Sequence, residues 1–172
     1  MNKDLESIQE ARDLAEVAYT AFQAFEHFTE EAVERILAEI SKAAIAHAAS
    51  LAKLAVEETG YGTVEHKALK NLFCARDVYN AIKSMKTVGI VSEDAGKKVF
   101  EVASPIGVIA AIIPSTNPTS TAIYKALIAP KGRNTIVFSP HPSATRCIYE
   151  TTRVMAEAAE RAAPHPACRV RR

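Results

Sequence analysis

Two short turns carry the side chains best equipped for chemistry. Pro114-Ser115-Thr116-Asn117-Pro118-Thr119 sets four hydrogen-bonding side chains among two prolines, just past an apolar run ending at Ile113. The first amides of a following helix would open at Thr119 and Ser120, a place suited to an oxyanion or a phosphate. An amide side chain such as that of Asn117 can donate to a developing carbonyl oxyanion. Asn117 and Thr119 can equally act only as caps of a helix that starts at Pro118. The second turn is Ser139-Pro140-His141-Pro142. Its prolines fix the backbone and remove donors, which leaves the Ser139 hydroxyl and the His141 imidazole as pointing groups. A plain solvated surface turn is the alternative.

Nucleophilic chemistry would need a thiolate. Cys74 and Cys147 fall inside helical patterns and read as small core residues. Cys168 stands beside Arg169, a neighbour able to lower its pKa. Three widely spaced cysteines support neither a disulfide framework nor a metal knuckle. His27, His47, His66 and His165 are isolated from one another, without i, i+4 spacing, so no metal site is expected. His47 reads as a helix-boundary residue.

The elements that must position these turns follow from periodicity. Asp4 to Phe28 repeats apolar residues near helical spacing. Thr29 is a candidate N-cap, with Glu30 and Glu31 suited to a first turn. The apolar stripe Val33, Ile36, Leu37, Ile40, Ala44, Leu51 and Leu54 predicts a second helix running to Thr59, stopped by Gly60. Thr63 opens a third to about Lys86, with Leu69, Leu72, Phe73, Val78 and Ile82 inward. The period then changes. Thr87 to Val91 and Lys98 to Ala103 predict a hairpin around the polar loop Ser92 to Lys97. Gly107 to Ile113 and Thr135 to Phe138 read as buried strands of a parallel pair, with helices from Pro118 to about Ala129 and from Ser143 to about Ala162. Strand, helix, strand, helix predicts an α/β fold with a right-handed crossover. In such a sheet, ligands bind beyond the carboxyl ends of the strands, where both turns fall.

Composition narrows the function classes. Hydrophobic residues make up 48% and charged residues 24%, a globular profile. A formal net charge of +1 offers no field to gather nucleic acid or anionic lipid. Val108 to Ile113, the longest apolar run, is far too short to span a bilayer. The amino terminus is acidic and amphipathic, with no signal-peptide block. A reduced, cytoplasmic protein is expected, with no nucleic-acid or membrane partner. Residues 163–172 carry two prolines and three arginines without an apolar period, and stand apart as an atypical tail.

The stretches IIPSTNPTSTAIYK and RNTIVFSPHPSA closely resemble the amino-terminal part of CoA-acylating aldehyde dehydrogenases, a group that includes acetaldehyde, propionaldehyde and sulfoacetaldehyde enzymes. The resemblance covers roughly residues 5–162. It implies that residues 1–162 form amino-terminal helices, a β-hairpin (87–104) related to the oligomerisation region, and the first strands of a Rossmann-like cofactor domain, which is incomplete here. It implies the reaction aldehyde + CoA + NAD(P)+ to acyl-CoA + NAD(P)H, with a small aldehyde and CoA as substrates and a homo-oligomeric parent. The family binds its nicotinamide cofactor without a G-x-G-x-x-G fingerprint, and none occurs here.

By the resemblance, Ile113, Pro114, Ser115 and Thr116 flank the nicotinamide side of the cofactor. Ordinary members carry an oxyanion-binding Asn in that turn. The ungapped match places Thr116 at that position and Asn117 one place later, so both are candidates. Ser139, Pro140, His141 and Pro142 would face the adenosine ribose. Ser139 falls where many non-acylating members have a Lys, and a neutral Ser cannot clamp a 2′-phosphate as a Lys can, which favours NAD over NADP. The family's nucleophilic Cys, which forms a thiohemiacetal and then a thioester taken by CoA, would lie beyond residue 172. The expectation is therefore a chain that stops before its catalytic Cys. The rival reading is a truncated non-catalytic protein that keeps only nucleotide-binding or subunit-association surface. A microcompartment location, as for some relatives, is the alternative to the expected cytoplasmic one.

Overall fold

The structure is a computed structural model that describes residues 3–163. His165, Cys168 and nearly all of the atypical tail lie outside the described residues.

Helix α1 spans Lys3–Phe25. Helix α2 spans Glu30–Ala46, and the Thr29 hydroxyl caps it by accepting from the Ala32 amide at 3.2 Å. Val33, Ile36, Leu37, Ile40 and Ala44 form its buried stripe. The single helix expected to run to Thr59 is instead broken at His47, which sits at φ −101°, ψ 4°. Helix α3 then spans Ala48–Thr59. The break has a packing cause: α2 lies against the last described helix, whereas α3 lies against the helix that follows it. The His47 backbone amide and its ring both meet the Ala43 carbonyl, at 3.1 and 2.9 Å. His47 is thus a boundary residue, as its sequence context suggests.

Gly60, at φ +69°, ends α3 in the left-handed region. Helix α4 spans Val64–Leu72, capped by Thr63. A π-helical segment, Phe73–Val78, follows, and then a short α5, Tyr79–Ile82. Here the expected inward stripe holds only in part, with Ile82 packed against the core. Leu69 is 63% and Phe73 59% exposed, while Lys67, Asn71 and Ala75 are buried and Tyr79 packs on the core. A spacing of four drifts around a regular α-helix, but a π segment has more residues per turn and keeps such a seam facing one way.

The hairpin pairs β1 (Gly89–Asp94) with β2 (Val99–Ala103) antiparallel, with a register shift between Ile90 and Ser92. Its turn lies later than expected, with Lys98 at φ +55°. Strands β3 (Val108–Ile113) and β4 (Thr135–Pro140) are parallel, joined through helix α6 (Pro118–Lys131). A 3-10 turn, Pro142–Ala144, leads into helix α7 (Thr145–Ala162). The α/β expectation and the parallel pairing both hold. The Asn134 carboxamide oxygen accepts from the Ile106 and Gly107 amides at 2.7 and 2.9 Å, locking the entrance of β3 to that of β4.

Burial of the strands on both faces holds only in part. Ala111 and Ile113 are buried, in a cluster with Ala55, Ala144, Cys147 and Ile148. Ile112 is 75% exposed. Helix α1 packs on β3 and β4 near their starts, where Phe22 approaches Gly107, and leaves the carboxyl ends of that face open. The larger core cluster joins α2, α6, Ala75 and Met155.

Candidate functional site

The parallel register aligns Ile112 with Ser139 and Ile113 with Pro140. Neighbouring strands lie about 4.8 Å apart, so the two turns emerge side by side at the carboxyl end of the pair. The His141 amide donates to the Ile113 carbonyl at 3.1 Å and stitches the second turn to the first. Lys125 Nζ donates to the Ile112 carbonyl at 2.8 Å beneath the same edge. Sequence reasoning placed Ile113, Pro114, Ser115, Thr116, Asn117, Ser139, Pro140, His141 and Pro142 in two separate turns, and the fold makes one rim of them.

Each turn has a defined inner structure. Asn117 occupies the N-cap position of α6, yet its side chain makes no cap bond. Its Oδ1 instead accepts from Lys70 Nζ at 2.9 Å. Thr119 does not cap the helix either: it is buried, and its hydroxyl donates to Asn71 Oδ1 at 2.8 Å. The reading of Asn117 and Thr119 as caps is thereby overturned. The physical reason is geometric: α4 brings Lys70 and Asn71 within reach of these two side chains. Pro118 takes the first helical position, where its missing N–H costs nothing.

Lys67, Lys70 and Asn71 were not singled out as functional residues in the sequence. Lys67 Nζ donates to the Thr116 carbonyl at 2.9 Å, and Asn71 Nδ2 donates to the Ala48 carbonyl at 2.9 Å. Burial, and then the charge of Lys70, push the Lys67 pKa below its ordinary value. The available signal was their i, i+3 and i+4 spacing, which sets three polar heads on one helix face.

In the second turn, His141 Nδ1 accepts from the Ser143 amide at 3.1 Å. An Nδ1 that accepts leaves the proton of a neutral ring on Nε2, and His141 is exposed. Ser139 is exposed as well. The amides that begin α7 are taken: Glu58 of α3 accepts from Arg146 at 2.8 Å and from Cys147 at 2.6 Å. Burial alone would raise the Glu58 pKa, but these two amides outweigh it and hold the carboxyl below its ordinary value. An anion beside this turn therefore finds the α7 terminus already occupied, whereas α6 has no side-chain cap.

Neither described cysteine is poised for attack. Burial, followed by the Glu58 carboxylate, pushes the Cys147 thiol up to about 12. Burial also raises that of Cys74, half-buried beside the main core. Among the described residues no group of three or more His, Cys, Asp or Glu could hold a metal ion. None of the described helices is long and apolar enough to cross a membrane.

Comparison with known proteins places these features. The family model for the aldehyde dehydrogenase family matches residues 4–166. The bifunctional aldehyde-alcohol dehydrogenase of Escherichia coli K12 is 46% identical over 131 residues, which is 76% of this chain and 15% of that protein. The crystal structure of an acetylating aldehyde dehydrogenase from Geobacillus thermoglucosidasius superposes with a TM-score of 0.90 at 54% identity, covering 97% of this chain and 37% of that one. A propionaldehyde dehydrogenase from Rhodopseudomonas palustris, solved with bound CoA and an acylated cysteine, gives a TM-score of 0.75 at 28% identity, over 89% of this chain and 35% of that one. The chain thus spans between 15% and 37% of the length of these proteins.

Proposed function

The chain belongs to the aldehyde dehydrogenase family, and we propose that it supplies the cofactor side and the oxyanion side of a CoA-acylating aldehyde dehydrogenase. The whole reaction is aldehyde + CoA + NAD+ to acyl-CoA + NADH + H+. The single observation that carries this reading is the junction of the two turns at one strand edge, tied by the His141 amide to the Ile113 carbonyl. That is where an α/β sheet holds its ligand.

The residues present fit a dinucleotide. His141 offers Nε2–H, and Ser139 a hydroxyl, to ribose oxygens. Ile113, Pro114 and Ser115 line the other end of the rim with Thr116. The nicotinamide group, when bound, accepts the hydride of the aldehyde carbon. Thr116 and Asn117 stand at the oxyanion side, the latter through its Nδ2 donor. With a neutral Ser139 and the Glu58 carboxylate at the start of α7, no cation of the second turn is placed to clamp a 2′-phosphate, which favours NAD over NADP. CoA is the acyl acceptor, and small aldehydes are the substrates. The hairpin β1–β2 belongs to the subunit-association surface of a homo-oligomer. A cytoplasmic setting fits the few, widely spaced cysteines.

Titrating the isotope-labelled chain with NAD+ tests this. We expect shifts at Ser139, His141 and residues 113–116, with weak affinity on the order of 1 mM. Ser139→Ala and His141→Ala should weaken binding further. Shifts confined to surfaces away from the strand edge would refute the assignment. The raised thiol pKa values of Cys74 and Cys147 favour the companion expectation that the chain by itself oxidises no aldehyde. CoA-dependent NADH formation that is lost in Cys168→Ser would show otherwise, whereas formation that survives replacement of all three cysteines would come from a contaminant.

A further inference from the structure

We propose that Lys70 is a positioning residue which, with the buried Lys67 beside it, orients the Asn117 carboxamide so that its NH2 group is presented as a hydrogen-bond donor at the strand edge. This rests on the oxyanion-side reading of the 114–119 turn.

The geometry is specific. Lys67 and Lys70 lie one helical turn apart on α4, and their ammonium groups converge on consecutive residues of a turn 47 to 49 positions away in sequence. Lys67 takes the backbone oxygen of Thr116, and Lys70 takes Oδ1 of Asn117, both at 2.9 Å. A carboxamide whose oxygen is held by a cation must direct its nitrogen the other way. Asn117 Nδ2 makes no hydrogen bond among the described residues, so the amide has a spare donor and a fixed acceptor. The Lys67 carbonyl contact fixes the backbone from which that side chain springs.

The arrangement is also electrostatically costly. Lys67 is only 6% exposed and has one carbonyl partner, with no carboxylate in contact. A buried ammonium without a counter-ion is expensive, and a second cation beside it adds repulsion. The π segment contributes by keeping Lys67, Asn71, Ala75 and Tyr79 on one face. Two cations near one turn give that turn a positive potential, which favours a substrate oxygen that acquires negative charge. It also strengthens the carboxamide as a donor, because a cation on its oxygen withdraws electron density from its nitrogen.

The test needs no substrate. In the labelled 172-residue chain, three-bond couplings and the two Nδ2 proton shifts report the Asn117 side-chain rotamer. We expect one rotamer in the wild type and averaged couplings in Lys70→Met. The minor rotamers should rise about threefold, the scale of one exposed charged contact. Lys70→Arg should restore the wild-type pattern. Lys70 is exposed, so its variants should fold; Lys67→Met, an apolar replacement of similar length, should shift the Thr116 and Asn117 backbone amides. Unchanged couplings in Lys70→Met overturn the proposal. So does a Lys70→Met spectrum in which the amides of 113–120 move as a body, since Lys70 would then hold the turn together without orienting Asn117. Should Lys70 control the rotamer while NAD+ leaves the strand edge unmoved, the positioning stands and the functional reading falls.

Discussion

Glu58 shows how one carboxylate decides what a helix end can bind. It accepts from the Arg146 and Cys147 amides at the start of α7, and so occupies a helix end that could otherwise hold an anion. Its folded pKa lies below the ordinary 4.5, so its contribution to stability is fully present above that value. The contribution is lost as pH falls through the lowered folded value and Glu58 takes up a proton. Glu58→Gln can accept only one of the two amides well and should cost about 1 kcal/mol near neutral pH. Melting curves at pH 7 and in acid should show that difference shrinking at the lower pH, as the wild-type carboxyl takes up its proton. An equal difference at both pH values would mean that Glu58 acts through packing alone.

At the scale of elements, the stops and breaks set the site. Gly60 ends α3 and lets the chain turn so that α4 packs back on α3, which carries Lys67 and Lys70 to the 114–119 turn. An added Cβ at Gly60 would meet nothing within 4 Å, so Gly60→Ala should cost only the left-handed backbone penalty, about 1 kcal/mol. A urea midpoint shift much larger than this would indicate strain passed on to α4. The π segment plays the complementary part. It turns the polar seam of α4 inward and leaves Leu69 and Phe73 outside, the reverse of what hydrophobicity alone prescribes.

The whole molecule leaves much apolar surface in water. Ile106, Ile112, Phe100 and Val102 are all exposed, the last two on a hairpin that packs on little else. Exposed apolar surface of this extent, with the open edges of two two-stranded sheets, drives association. Sedimentation of the purified chain should therefore show species heavier than one chain, growing with concentration. A monodisperse monomer that melts cooperatively would contradict this.

The strand-helix-strand order, the caps at Thr29 and Thr63, the stop at Gly60 and both candidate turns were readable from the sequence, because each depends on local periodicity or on a residue with restricted backbone geometry. The packing roles of Cys147, buried, and Cys74, half-buried against the core, were readable for the same reason. What the tertiary structure alone decided was which polar groups meet. Lys70 reaches Asn117, Thr119 reaches Asn71, and Glu58 reaches the α7 amides across 47, 48 and up to 89 positions of sequence. No local pattern encodes such pairings. They arise where helices packed for their apolar faces bring donors and acceptors from distant positions within reach of one another.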